Sequence, residues 1–158
     1  MIFGKTLSEY IRFQRVMLGL ILAVGLAKMA MTLAGMPNST TKWLSLTVLT
    51  LVGLVDYGVR VHASGFGSYK QMLPLIFNQS VLAQGIVIIG IVIGIVTGHD
   101  NVFTAPEYSG GGDGKTWLHV GAHVAFGMIV GTLLGWLVAS IVMWVTKRVA
   151  RRPAPAVA

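Results

Sequence analysis

Four long apolar runs, residues 16–36, 43–62, 73–98 and 117–146, constrain this chain more than any other feature. Each approaches or exceeds the roughly 20 residues that an α-helix needs to cross a bilayer. A membrane barrel would need alternating polar and apolar positions, and the runs do not alternate, even in the Ile- and Val-rich third. Pro37-Asn38 closes the first run and Ser64-Gly65-Phe66-Gly67 the second, both of them turn signals. The expected fold class is an all-α integral membrane protein. Its four transmembrane helices form one domain over 1–152, and residues 153–158 read as a disordered tail.

Composition agrees. Hydrophobic residues make up 54% of the chain and charged residues 11%, where a soluble domain carries about 25% charged. So few charges cannot cover a water-facing surface, which excludes a soluble enzyme domain, a disordered chain and a disulfide-stapled module. With no Cys, thiolate zinc sites, iron–sulfur clusters, thiol redox chemistry and covalent haem attachment are excluded as well.

Residues 1–15 have an amphipathic pattern. Phe3, Leu7, Tyr10 and Ile11 share one face, with Lys5, Glu9, Arg12 and Arg15 mostly opposite. The pattern predicts a separate short helix lying in the membrane interface. The run that begins at Val16 is longer than the apolar core of a usual signal peptide, so no secretory signal is expected. Lys and Arg then set the orientation. Nine of them (Lys5, Arg12, Arg15, Arg60, Lys70, Lys147, Arg148, Arg151 and Arg152) fall on one side, and only Lys42 and Lys115 on the other. The positive-inside rule places both termini in the cytoplasm of an inner or plasma membrane. The net charge of +7 therefore points to anionic lipid headgroups as partner rather than nucleic acid. Residues 99–116 become the one sizeable outer loop, and its Pro106 and Gly110-Gly111-Gly112 suit a surface segment. Gly114-Lys115-Thr116 resembles the end of a phosphate-binding loop, but Ser109 stands where the first glycine belongs and no strand precedes it.

Intramembrane polar groups carry whatever chemistry is present. A charge in the bilayer centre costs at least about 2.5–3.5 kcal/mol, so Lys28 and Asp56 demand partners. They can pair across antiparallel helices, or Asp56 can pair with Arg60 one turn on. A proton or ion relay would use Lys28, Asp56, Arg60, Gln84 and His123. Asn78, Gln79 and Gln84 are expected to hydrogen-bond across the bundle. His119 and His123 lie one turn apart, and His99 and Asp100 close the third run at the same membrane side. Imidazoles suit zinc, copper or nickel, so these four residues are candidates for a divalent metal or haem, although the Glu of a zinc-protease helix is missing. No cofactor is favoured over the others. Met17, Met29, Met31 and Met36 read as packing residues. Trp43, Trp117, Trp144 and Tyr69 fall at span ends, as interface belts do.

Small residues give the most specific pattern. Gly127, Gly131, Gly135 and Ala139 recur every fourth position in the fourth run, and Gly90, Gly94 and Gly98 do so in the third. In lipid such stripes let helix backbones approach closely. They predict helix association within the chain, with another copy or with another membrane subunit.

Arg15-Val-Met-Leu-Gly-Leu and Gly25-Leu-Ala-Lys28 in the first run resemble the opening of DoxX-like four-helix membrane proteins. The resemblance implies the same four-helix class, is limited to residues 15–28, and implies no residue role.

Three functions fit these features. The leading expectation is a non-catalytic subunit or assembly partner of a larger membrane complex. A homo-oligomeric transporter or channel built on Lys28 and Asp56 is the second. A haem, metal or quinone site at the outer face, using His99, His119 and His123, is the third.

Overall fold

The computed structural model describes residues 1–150; the expected tail at 153–158 lies outside the described residues. Four spans long and apolar enough to cross a membrane run antiparallel: Leu7–Leu33, Asn38–Ala63, Tyr69–Thr97 and Trp117–Val149. No strand occurs among the described residues. The first span is helix α1 (Leu7–Leu33) and the second joins the short α2 (Asn38–Thr41) to α3 (Leu46–Ala63). The third is α4 (Tyr69–Thr97), and the fourth comprises α5 (Trp117–Ala122), a π-helical segment (His123–Val130) and α6 (Gly131–Val149).

The amphipathic leader is not a separate helix. Thr6 caps α1, its hydroxyl accepting from Glu9 N–H while the Glu9 carboxylate accepts from Thr6 N–H. This capping box starts the helix at the leader rather than at Val16. Tyr10, Gln14, Met17, Ile21, Gly25, Met29 and Thr32 form one buried stripe with steps of three and four along its whole length. The buried stripe runs without a break from Tyr10 of the leader into the long apolar run, so nothing divides the helix between them. Ahead of it, residues 2–5 form a tight turn closed by mutual hydrogen bonds between Ile2 and Lys5.

Helices α3 and α4 form the centre. Each packs on the other and on both α1 and α6, whereas α1 and α6 do not meet among the described residues. Glycines set the approach. A Cβ on Gly58 would stand 2.8 Å from the Ala139 carbonyl oxygen and 2.7 Å from Val142 of α6, so the α3 and α6 backbones nearly touch. Gly53 lies directly under the Gln79 side chain of α4, and Gly25 of α1 under Ile86. Outside, Val16, Leu20, Leu22, Val52, Val55, Ile89, Leu134, Leu137 and Ile141 are all exposed. Facing water, such a surface would be one large aggregation-prone patch; facing lipid, it is the normal exterior.

The small-residue stripe of the fourth span is spent inside the bundle. Gly127 accommodates Gln84, Gly135 packs on Leu54 and Ile76, and Ala139 is fully buried against α3; Gly131 borders a cavity among α3, α4 and α6. On α4, Gly90 receives Phe103 of the loop and Met29 of α1, and Gly94 receives Thr104 and Asn101, so that stripe seats mainly the loop. Gly98 packs on nothing: it is the α4 C-cap with φ 71°, a left-handed conformation that favours glycine.

The first part of the loop after α4 is folded into the bundle, while Pro106 and Gly110-Gly111-Gly112 are exposed, as a surface segment is expected to be. Asn101, Val102, Phe103, Thr104 and Ala105 are all buried. Asn101 Nδ2 donates to the Gly90 carbonyl and Asn101 Oδ1 accepts from Phe103 N–H. Thr104 Oγ1 accepts from Asn101 N–H, and Thr32 Oγ1 from Val102 N–H. These polar side chains satisfy a buried backbone that has no helix to do so.

Two glycines separate packing from propensity. Gly58→Ala forces α3 away from the α6 backbone and lowers stability by about 1–3 kcal/mol. Gly19→Ala, with nothing within 4 Å of the new methyl, is neutral or stabilising by up to about 1 kcal/mol. Unfolding of both variants in mild detergent measures the difference.

Candidate functional site

At the loop end of the bundle, α5 presents two imidazoles. Thr116 caps α5 by accepting from His119 N–H, which fixes His119 in the first turn and His123 one turn later. His119 Nδ1 lies 2.9 Å from the Gly114 carbonyl, and a carbonyl can only accept, so His119 carries its proton on Nδ1. His123 Nδ1 lies 2.6 Å from Gln84 Oε1 of α4. The two Nε2 atoms face each other at 3.2 Å, with ring centroids 4.9 Å apart. Both rings are half-buried and border a cavity of about 480 Å³ with Tyr108, Ser109, Phe126 and Gly127.

Three pieces of the fold build this geometry. The π-helical turn widens from His123 onward, a feature often found at functional positions. Gly127 leaves room for Gln84, whose Cδ would stand 2.6 Å from a Cβ there. The loop supplies the Gly114 carbonyl. It is anchored by Ser109, whose hydroxyl donates 2.7 Å to the Ala105 carbonyl, and by Asn38, which donates 2.9 Å to Glu107.

The remaining candidates lie elsewhere. His99 is exposed, its Nδ1 turned to the Thr97 carbonyl, and Asp100 pairs with Lys115. No group of three or more His, Asp or Glu side chains able to hold a metal forms among the described residues. Two imidazoles on one helix turn cannot sandwich a haem by themselves, and the ring of His99, which a bis-His haem would need opposite them, is turned to the Thr97 carbonyl.

Relay residues are scattered in the same way. Lys28 reaches the loop, its ammonium 5.6 Å from the Phe103 ring and 5.9 Å from the Tyr108 ring. Asp56 pairs with Arg60 at 2.7 Å near the opposite end, where Arg60 also donates to the Phe13 carbonyl at 3.0 Å and lies over the Phe13 ring. Lys28 and Asp56 do not meet. Gln84 and His123 do, in the site above.

Several residues went unnoticed in the sequence. Gln14 and Tyr57 are fully buried and bonded to each other at 3.2 Å, the Tyr57 hydroxyl donating. Gln14 lies on the buried stripe of α1, which would have exposed it. Trp136 donates to the Tyr69 carbonyl at 2.7 Å, tying α6 to the first turn of α4.

A second feature runs along the flank. Because α1 and α6 do not meet, α4 is uncovered between them. Two adjoining apolar cavities of about 560 and 540 Å³ lie there, sharing Leu7, Phe77 and Asn78. On α4 they extend from Leu73 to Ile89, roughly 24 Å at 1.5 Å per residue. Asn78 is the sole amide in this wall, and its Nδ2 has no hydrogen-bond partner. No protein-family model matches the chain, and comparison with curated proteins and with solved structures finds no match. The likeness of residues 15–28 to DoxX-like proteins thus supports no family assignment.

The loop anchor titrates. The hydrogen bond from Asn38 is the largest influence holding the Glu107 carboxyl below its ordinary value, with a bond to its own backbone next. A depressed carboxylate stabilises the docked loop above its unfolded pKa, and the contribution is lost as pH falls through the lower folded value. Asn38→Ala should move the Glu107 titration, followed by its side-chain carboxyl ¹³C shift, upward towards the ordinary range. An unchanged titration would show that the bond does not hold the loop.

Proposed function

We propose that the chain is a polytopic integral membrane protein acting as a non-catalytic subunit or assembly partner, which accepts a transmembrane helix of another chain. The observation that carries this reading is the uncovered face of α4. Its groove is lined by Leu18, Leu22 and Leu26 of α1 and by Val81, Gly85 and Ile89 of α4. With the adjoining cavity it extends over most of the roughly 30 Å of a bilayer core. Gly85 has nothing within 4 Å of where a Cβ would stand, the kind of small-residue position at which helix backbones meet in lipid. Asn78 adds one polar handle to the wall. The termini lie in the cytoplasm, as the nine Lys and Arg of that side favour, and the same charges face anionic headgroups.

A relay across the bundle gains no support from this geometry. Lys28 and the Asp56–Arg60 pair lie towards opposite ends, and the buried residues between them include Ile21, Leu54 and Ala83.

Gly85→Leu tests the reading, because the added side chain fills the groove without touching the chain's own packing. Full-length tagged protein extracted gently from its own membrane should show, by native mass spectrometry, 16.9 kDa plus the mass of a foreign chain. The variant should lose that chain while unfolding within about 0.5 kcal/mol of the parent. A complex that is a clean multiple of the parent chain would reassign the groove to a second copy. An unchanged set of partners in Gly85→Leu would overturn the groove as the docking face.

A further inference from the structure

With the Gln84 amide oriented as it stands, the two imidazoles at the loop end meet without a proton between them. His119 holds its proton on Nδ1 because the Gly114 carbonyl accepts there, and His123 holds its proton on Nδ1 because Gln84 Oε1 accepts there. Each neutral ring is then left with a bare lone pair on Nε2. Those two nitrogens lie 3.2 Å apart. Two acceptors at that distance repel unless something positive lies between or beside them.

The separation has a chemical meaning. Zinc binds imidazole nitrogen at about 2.0–2.1 Å, so two nitrogens 3.2 Å apart subtend an angle of roughly 100–105° at a shared ion, near the tetrahedral value. The other ring nitrogens are also placed as they are around bound metals, where the imidazole not facing the ion donates to a backbone carbonyl or a side-chain oxygen that fixes tautomer and aim. One such acceptor comes from the loop and the other from α4. Both rings border a cavity that Tyr108 and Ser109 also line.

We propose that His119 and His123 bind one divalent transition-metal ion of the zinc class through their Nε2 atoms, with Gly114 and Gln84 as positioning residues. Nitrogen ligands select zinc, nickel or copper over magnesium and calcium, which take oxygen. Two protein ligands leave room for water or a small ligand, so the ion is open rather than enclosed as in a structural site. Neither His99 nor Asp100 takes part. The site stands independently of the groove on α4.

One arrangement would need no ion. With the Gln84 amide turned end for end, its nitrogen would donate to His123 Nδ1, His123 Nε2–H to His119 Nε2, and His119 Nδ1–H to Gly114, a donor chain complete in itself. Nitrogen-15 spectra of the metal-free full-length protein in detergent distinguish the two states. The proposal requires both histidines to be protonated at Nδ1 and bare at Nε2; a proton on His123 Nε2 overturns it. Zinc titrated into chelator-stripped protein should bind at one ion per chain, and cobalt in its place should give the visible bands of a tetrahedral centre. His119→Ala should abolish binding, and Gln84→Leu should weaken it by about 10–100-fold, with the helical circular dichroism of each variant retained. Zinc that fails to bind the parent, or that binds His119→Ala and His123→Ala as well as the parent, ends the proposal. Should the alanine variants not fold, the spectra of the parent still decide.

Discussion

The close seating of α3 against α4 and α6 is the contact on which the rest of the bundle depends. In a bilayer, whose tails are as apolar as leucine, no hydrophobic force would drive four such helices together; contact area and polar bonds would have to do it. Gly53 and Gly58 supply the contact. One lies under Gln79 of α4 and the other on the backbone of α6. With α3 drawn close to both, α4 occupies the middle, α1 and α6 fall on opposite sides, and a strip of α4 is left without cover. The flank groove is thus a consequence of two glycines that do not line it.

Glutamines repeat this logic in polar form. Gln14 accepts from Tyr57, Gln79 donates to the Thr50 carbonyl, and Gln84 accepts from His123, so each joins two spans at a different depth. A polar bond between membrane helices contributes about 0.6 kcal/mol on average, less than a well-packed leucine. Its stronger effect is on register, since sliding one helix by a turn would strand an amide in hydrocarbon. Gln14 Nε2 and Gln79 Oε1 already lack partners, so these amides are held by packing as much as by bonding. Apolar layers separate them, which is the arrangement of three cross-ties and not of a conduit.

Much of the architecture was legible because a bilayer simplifies the code. Length and apolarity are enough to find four spans, and all four appear in the structure. Legibility ends where the partner of a side chain matters. The glycine stripes said that something packs closely, but Gly90 and Gly94 serve Phe103 and Thr104 of a loop, and only the folded chain reveals this. The leader was misjudged because its charges were weighed above the stripe that Tyr10 and Gln14 begin. The Asn101-x-x-Thr104 pair is a local signal that side chains will bond to their own backbone, and the reading of the loop from its Pro and Gly left that signal unused. For the candidate site, the His119–His123 spacing was visible, whereas Gln84 is remote in sequence and Gly114 acts through a backbone carbonyl that no side-chain pattern marks.

That remoteness also separates the histidine pair from a bare i,i+4 pair on a helix surface. Imidazoles on an exposed helix sample several rotamers, and an ion must order them at an entropic cost. Here each ring is held by its other nitrogen, one from the loop and one from α4, and the holding groups are themselves fixed. Gly114 is seated on Thr104, while Gln84 lies across Gly127 at the start of the widened turn. The loop is therefore part of the site's rigidity, and the buried network around Asn101 and Thr104 acts on the histidines without touching them. A site held from two sides in this way is organised before anything binds, which is the condition under which two ligands can count for more than their number.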